Sequence, residues 1–225
     1  VSPWLYLLLA HLIADFVLQP YELVQLKRQP IGLAIHVGIH GAVMVVLAAP
    51  ILPRWWVIIP IVMLLHYGVD AMKMGYGRGH GPRAFVLFLL DQGVHMLVLA
   101  AAVLLAGVSL RTEVIYGSRA VTAMLYYAVP YVAATFGGAI LLYQIALAFK
   151  TRTSPVDLLT IRLRVAGMAE RLLALTAVLF LTPVWWWVGA VSYALQLSAN
   201  HRQRGRWVES VSSLGFAVAL GLLFR

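Results

Sequence analysis

Apolar runs of about 20 residues recur along almost the whole chain, broken by prolines, tryptophans and small groups of basic residues. Runs of this kind leave few folds open. In lipid every backbone N–H and C=O must be satisfied within the protein, and a continuous apolar run does so as a helix. The sequence therefore predicts an all-α, polytopic membrane helical bundle. Composition agrees: 62% of the 225 residues are hydrophobic and only 11% are charged. Cys is absent, so disulfides and thiolate ligands are excluded.

About eight spans are expected. The first covers residues 2–19 and closes at Pro20. It lacks a basic leader and a cleavage site, so it reads as a span rather than a removable signal. Tyr21 to Pro30 reads as a polar loop holding Lys27 and Arg28. The second span is 31–49. The third is 55–74, opened by the interfacial pair Trp55 and Trp56. Gly75 to Arg83 is a flexible basic connection, and the fourth span is 84–107. Residues 108–119 are the expected boundary between a first part, 1–107, and a second, 108–225. The second part adds span five (120–149, with Pro130 and Gly137-Gly138 as kink sites), span six (165–182), a seventh ending near Asn200, and an eighth (207–224). Before span six, Ser154-Pro155 reads as a helix start.

The formal charge of +9 sits mostly in the connections after spans one, three, five and seven. By the positive-inside rule those loops are cytoplasmic and both termini face outward. Topology and contact with anionic lipid account for the charge, so nucleic acid is not an expected partner.

The first four spans carry ionisable residues where lipid tolerates them poorly. They read His11-x3-Asp15, His36-x-Gly38-x-His40, His66-x3-Asp70 and Asp91-Gln92-Gly93-x-His95. Each pair is spaced i, i+4, so both side chains leave one face of their helix. A shift of 55 places His11 on His66, Asp15 on Asp70, His36 on Asp91, Gly38 on Gly93 and His40 on His95. The reading is a duplicated two-helix unit with its copies parallel, related by an axis along the membrane normal. Gly38 and Gly93 are expected to allow close helix approach. Counted from the span ends, the eight ionisable residues share one depth in the cytoplasmic half.

Three acids and five histidines at one depth need mutual compensation. No Arg lies in these runs, and Lys73 is the nearest cation. A bound cation is the economical answer. Imidazole and carboxylate suit zinc, iron, manganese or another divalent metal, one or two ions. The expected ligands are His11, Asp15, His36, His40, His66, Asp70, Asp91 and His95. Gln19 and Gln92 read as partners orienting a ligand. Lys27, Lys73, Arg78, His80 and Arg83 ring the expected mouth and would meet an anionic substrate. Asp91 and Glu170 are candidate bases. A proton or ion pathway and a purely structural polar core are the competing readings.

These residues resemble a known family. His11-x3-Asp15-Phe-x2-Gln19, Lys27, His36-x3-His40, His66-x3-Asp70-x2-Lys73 and Asp91-Gln92-x2-His95 are together similar to bacterial membrane proteins grouped as domain of unknown function 3307. Glu170-Arg171 and Glu209 also resemble family positions. Span seven departs, with Gln196 to Asn200 where a basic residue is expected. The resemblance implies a multi-pass protein of the bacterial inner membrane and brings no established activity. The leading expectation is a metal-dependent hydrolase acting on a lipid or lipid-linked ester or phosphoester. The alternatives are a divalent-metal or proton transporter, and a structural subunit of a homo-oligomer or larger membrane complex.

Overall fold

The computed structural model describes residues 2–75, 81–110, 114–115, 117–149, 161–180 and 207–225, and every regular element among them is helical. Four described helices are long and apolar enough to cross a membrane: Pro30–Ala48, Trp55–Met74, Pro82–Leu105 and Arg119–Phe149. Pro3–Val17 and Val211–Phe224 are shorter apolar helices. Span seven, the Ser154-Pro155 helix start, and Arg78 and His80 lie outside the described residues.

Two compact units make up the chain, Val1–Arg78 with Leu87–Val129, and Gly79–Val86 with Pro130–Arg225. In the first, α1 (Pro3–Leu12) starts on an extended Ser2 whose hydroxyl oxygen accepts from the Trp4 N–H at 3.4 Å, with Pro3 at the first helical position. The helix then widens into a π-helical turn, Ile13–Val17, closed by Leu18 N–H to Ile13 C=O at 2.8 Å.

Tyr21 to Pro30, expected as a loop, instead contains a short helix, α2 (Tyr21–Leu26). An extended Pro20 sets its start, and Leu23 is buried against the unit. Tertiary packing overrides the polar composition here: α2 lies on α3 (Pro30–Ala48), and a Cβ at Gly32 would strike the Leu26 carbonyl. Gly41 likewise admits Met63. The close-approach role thus falls to Gly32 and Gly41. A Cβ at Gly38 or Gly93 would meet nothing within 4 Å, which corrects the expectation for that pair. Gly38 and Gly93 sit about 180° around their helices from the flanking ligands, on the outer face.

α3 packs on α1 and on α4 (Trp55–Gly75). α5 (Pro82–Leu105) joins them through its buried side chains. The apolar core holds Leu7, Met44, Val62 and Leu99, one from each of these helices, all no more than 2% exposed. One helical turn from each lies a histidine: His11, His40, His66 and His95. One turn further lie Asp15, His36, Asp70 and Asp91. Residue numbers rise through these layers in α1 and α4 and fall in α3 and α5. The bundle is therefore stacked as an apolar layer, an imidazole layer and an acid-rich layer.

α6 (Arg119–Val132) belongs to the first unit as far as Val129; the second unit takes over at Pro130, inside the same helix, which passes through a second π-helical turn, Ala133–Gly137, into α7 (Gly138–Phe149). α8 (Ile161–Phe180) and α9 (Trp207–Phe224) pack on each other and on this turn. Arg171 of α8 is 1% exposed. It donates to the carbonyls of Ala134 at 2.6 Å and Thr135 at 3.0 Å, and to the Ser213 hydroxyl at 3.0 Å. The Thr135 carbonyl also accepts from the Gly138 N–H at the end of the π turn, so the guanidinium fork adds a second donor there and ties the turn to α8 and α9. Gly138 makes room, since a Cβ there would lie 2.8 Å from Arg171 Nε.

Candidate metal centre

The imidazole layer is a closed ring. Centroid separations are 5.3 Å for His11–His40, 4.0 Å for His40–His66, 4.3 Å for His66–His95 and 5.1 Å for His95–His11. His36 joins from the next turn of α3, 4.6 Å from His40 and 5.4 Å from His66. All five rings are at most 2% exposed. Unpaired polar groups at this depth are expensive, so their partners decide what the site is for.

Asp15 is the hub of the first side. Its Oδ1 lies 3.1 Å from His36 Nε2 and 3.1 Å from His40 Nε2, and its Oδ2 lies 3.5 Å from His11 Nε2. His36 Nε2 lies 3.3 Å from His66 Nε2. Asp15, His36, His40 and His66 each offer a ligand atom with all four inside 4.8 Å of one another. Donors on a tetrahedral ion with bonds of about 2.0–2.1 Å are about 3.3 Å apart, which the contacts at 3.1 and 3.3 Å match. Two facing imidazole nitrogens can share one proton or one cation, and a cation serves both lone pairs. Asp15 has only histidines about it in these contacts, so a divalent ion also meets its charge.

Asp70 organises the second side. With His66 and His95 it forms a second such group, of three ligands. Its Oδ1 lies 3.8 Å from His95 Nε2, and its Oδ2 lies 3.7 Å from His66 Nε2 and 3.4 Å from His36 Nε2. His95 is set for coordination. Its Nδ1–H donates to the Asp91 carbonyl at 2.8 Å, which leaves the lone pair on Nε2, and that buried Nε2 has no hydrogen-bond partner. His66 belongs to both groups, so the two positions are joined through one imidazole.

Two expected ligands stand outside both groups. His11 completes the imidazole ring, yet neither of its nitrogens makes a hydrogen bond. Asp91 is engaged elsewhere: Lys73 Nζ pairs with its Oδ2 at 2.5 Å, and Gln92 Nε2 donates to the same oxygen at 3.2 Å. Lys73 therefore serves Asp91 and not Asp70, three residues before it. Lys27 reaches in from the end of α2 and pairs with Asp70 Oδ2 at 2.8 Å, donating also to Gln19 Oε1 at 3.4 Å. Gln19 and Gln92 thus orient a lysine and an acid respectively. Glu170 is buried in α8 of the second unit. The π-helical turn bearing Asp15 has no sequence signature in residues 13–17. Such turns recur at functional sites because the added residue re-aims a side chain.

The ligands span residues 11 to 95, the stretch where comparison with known sequences finds its match. No curated protein and no solved structure matches the chain. A family model does match, over residues 4–122, more than half of the chain and all of the candidate centre. The chain belongs to the family described as Protein of unknown function (DUF3307).

Proposed function

We propose that the protein is a membrane-embedded, metal-dependent hydrolase acting on a lipid or lipid-linked ester in the cytoplasmic half of the bacterial inner membrane. The observation that carries this is the pair of buried His/Asp ligand groups, one of four ligands and one of three, sharing His66. Four protein ligands suit a closed site, whereas three leave a position for water or substrate. Because a neutral imidazole has one lone pair, His66 would serve one ion at a time, completing either the group of Asp15, His36 and His40 or the open group of Asp70 and His95. A divalent metal there supplies Lewis-acid polarisation and a nucleophilic water at neutral pH.

The protein's own groups do the rest. His95 presents Nε2 because Asp91 holds its other proton. His11, with two unengaged nitrogens 3.5 Å or more from Asp15, is placed to take or return a proton. Asp91 Oδ1 accepts no hydrogen bond and is the second candidate base. Leu7, Met44, Val62 and Leu99 close the far side of the histidine layer with an apolar plug. A site with a dry floor favours chemistry on a substrate entering from one side over a pathway crossing the membrane.

The test is turnover by the purified protein in nanodiscs, with zinc, manganese or iron added, against lipid esters and phosphoesters. Metal-dependent hydrolysis lost in His95→Ala supports the reading. Vesicle-entrapped protein that moves metal across the bilayer without hydrolysing anything would replace it with transport.

A further inference from the structure

Resting on the metal reading, we propose that Lys27 and Lys73 form, beside the bound metal, a subsite for a phosphate group, so that the substrate is a phosphoester rather than a carboxylic ester. The first argument is charge. The charged groups contacting the cluster, among the described residues, are the carboxylates of Asp15, Asp70 and Asp91 and the ammonium groups of Lys27 and Lys73. With neutral imidazoles, three negative charges face two positive ones, and the cluster is one charge negative. One divalent ion makes it one charge positive, and a second makes it three. Excess charge inside a membrane is costly unless paired. A phosphodiester monoanion balances the one-ion site. A phosphomonoester dianion with hydroxide balances the two-ion site. A neutral carboxylic ester balances neither.

Placement is the second argument. Lys27 Nζ holds Oδ2 of Asp70, a member of the three-ligand group. A metal drawn to Asp70 competes with that ammonium and leaves it beside the cation with Gln19 Oε1, a neutral acceptor, as its remaining partner. Lys73 holds Asp91 from the last turn of α4, with its side chain 47% exposed, on the open edge of the cluster. Two ammonium groups on flexible stems are point charges suited to phosphate oxygens.

The test uses the full chain in phosphatidylcholine nanodiscs. Mn2+ affinity is read by electron paramagnetic resonance, and phosphate binding by the Mn2+-induced relaxation of 31P in added inorganic phosphate. The wild type is expected to show saturable relaxation. Lys27→Met/Lys73→Met is expected to bind Mn2+ as tightly or more tightly, because a competitor for Asp70 is gone, while phosphate affinity falls about tenfold or more. Lys27→Arg/Lys73→Arg keeps the charges and is expected to keep phosphate binding. Equal phosphate affinity in the Met variant, or bound Mn2+ with no phosphate relaxation in the wild type, overturns the subsite and leaves the metal centre standing. No Mn2+ uptake at all overturns the metal reading, and the subsite with it. Nanodiscs containing phosphatidic acid identify the source of the phosphate. Loss of the free-phosphate signal assigns a lipid head group and its persistence assigns a soluble phosphate, and either supports the subsite.

Discussion

Asp15→Asn separates a metal ligand from a structural acid. The substitution keeps the shape and removes the only anion of the four-ligand group. Without metal its consequences are small: an amide oxygen still accepts from His36 and His40 at the 3.1 Å positions, and a buried charge is relieved. With metal they are large. An ion at 100 times its dissociation constant stabilises the wild type by about 2.7 kcal/mol. At about 2–4 °C per kcal/mol for a chain of this size, the unfolding midpoint rises by about 5–11 °C. Partners in the outer shell of a metal site are worth up to about 100-fold in affinity, and a direct ligand is worth at least that. At the same metal concentration a 100-fold loss reduces the stabilisation to about 0.4 kcal/mol, a rise of about 1–2 °C. The assay is thermal unfolding in detergent, with and without zinc, for both proteins. A variant that keeps the full metal-induced rise refutes the assignment of Asp15 as a ligand. A metal-free midpoint lowered by more than about 5 °C makes Asp15 a structural hub and refutes the reasoning as well.

Arg171→Met removes the side-chain donor of the Ala134 carbonyl and of the Ser213 hydroxyl and leaves the Thr135 carbonyl with the Gly138 N–H alone, and is expected to destabilise by about 2–4 kcal/mol while metal per chain in the folded fraction is unchanged. Denaturant titration alongside metal content checks both halves. Gly32→Ala drives a methyl group into the Leu26 carbonyl. A cost of about 1–3 kcal/mol is expected, with faster hydrogen exchange over α2. Leu99→Ala opens a cavity in the apolar layer below His95 and is expected to cost about 2–5 kcal/mol in the same titration.

Much of the first unit is legible in the sequence because lipid writes strong signals. Continuous apolar length, prolines and tryptophans at the ends, and i, i+4 spacing placed α3, α4 and α5 within about two residues of where they lie. The same spacing put His66 with Asp70 and Asp91 with His95 on common faces. Long-range partners were less legible. Nothing in Tyr21 to Pro30 announces a helix whose end delivers Lys27 to Asp70, since that depends on Leu23 and Gly32 fitting together across the α2–α3 turn. The π-helical turns at Ile13–Val17 and Ala133–Gly137 are one-residue adjustments of hydrogen bonding that hydropathy does not register. The duplicated spacing treats His36 and Asp91 as equivalents. The side chains do not: His36 joins a ligand group, while Asp91 is drawn to Lys73 and Gln92. Arg171 illustrates the same limit, because its partners come from two other helices.

The most direct test of the central claim is elemental analysis of the detergent-purified protein beside an Asp15→Ala/Asp70→Ala variant. The account predicts one or two divalent ions per chain in the wild type and near-complete loss in the variant. A folded wild type that holds no metal after incubation with zinc, manganese or iron would contradict it.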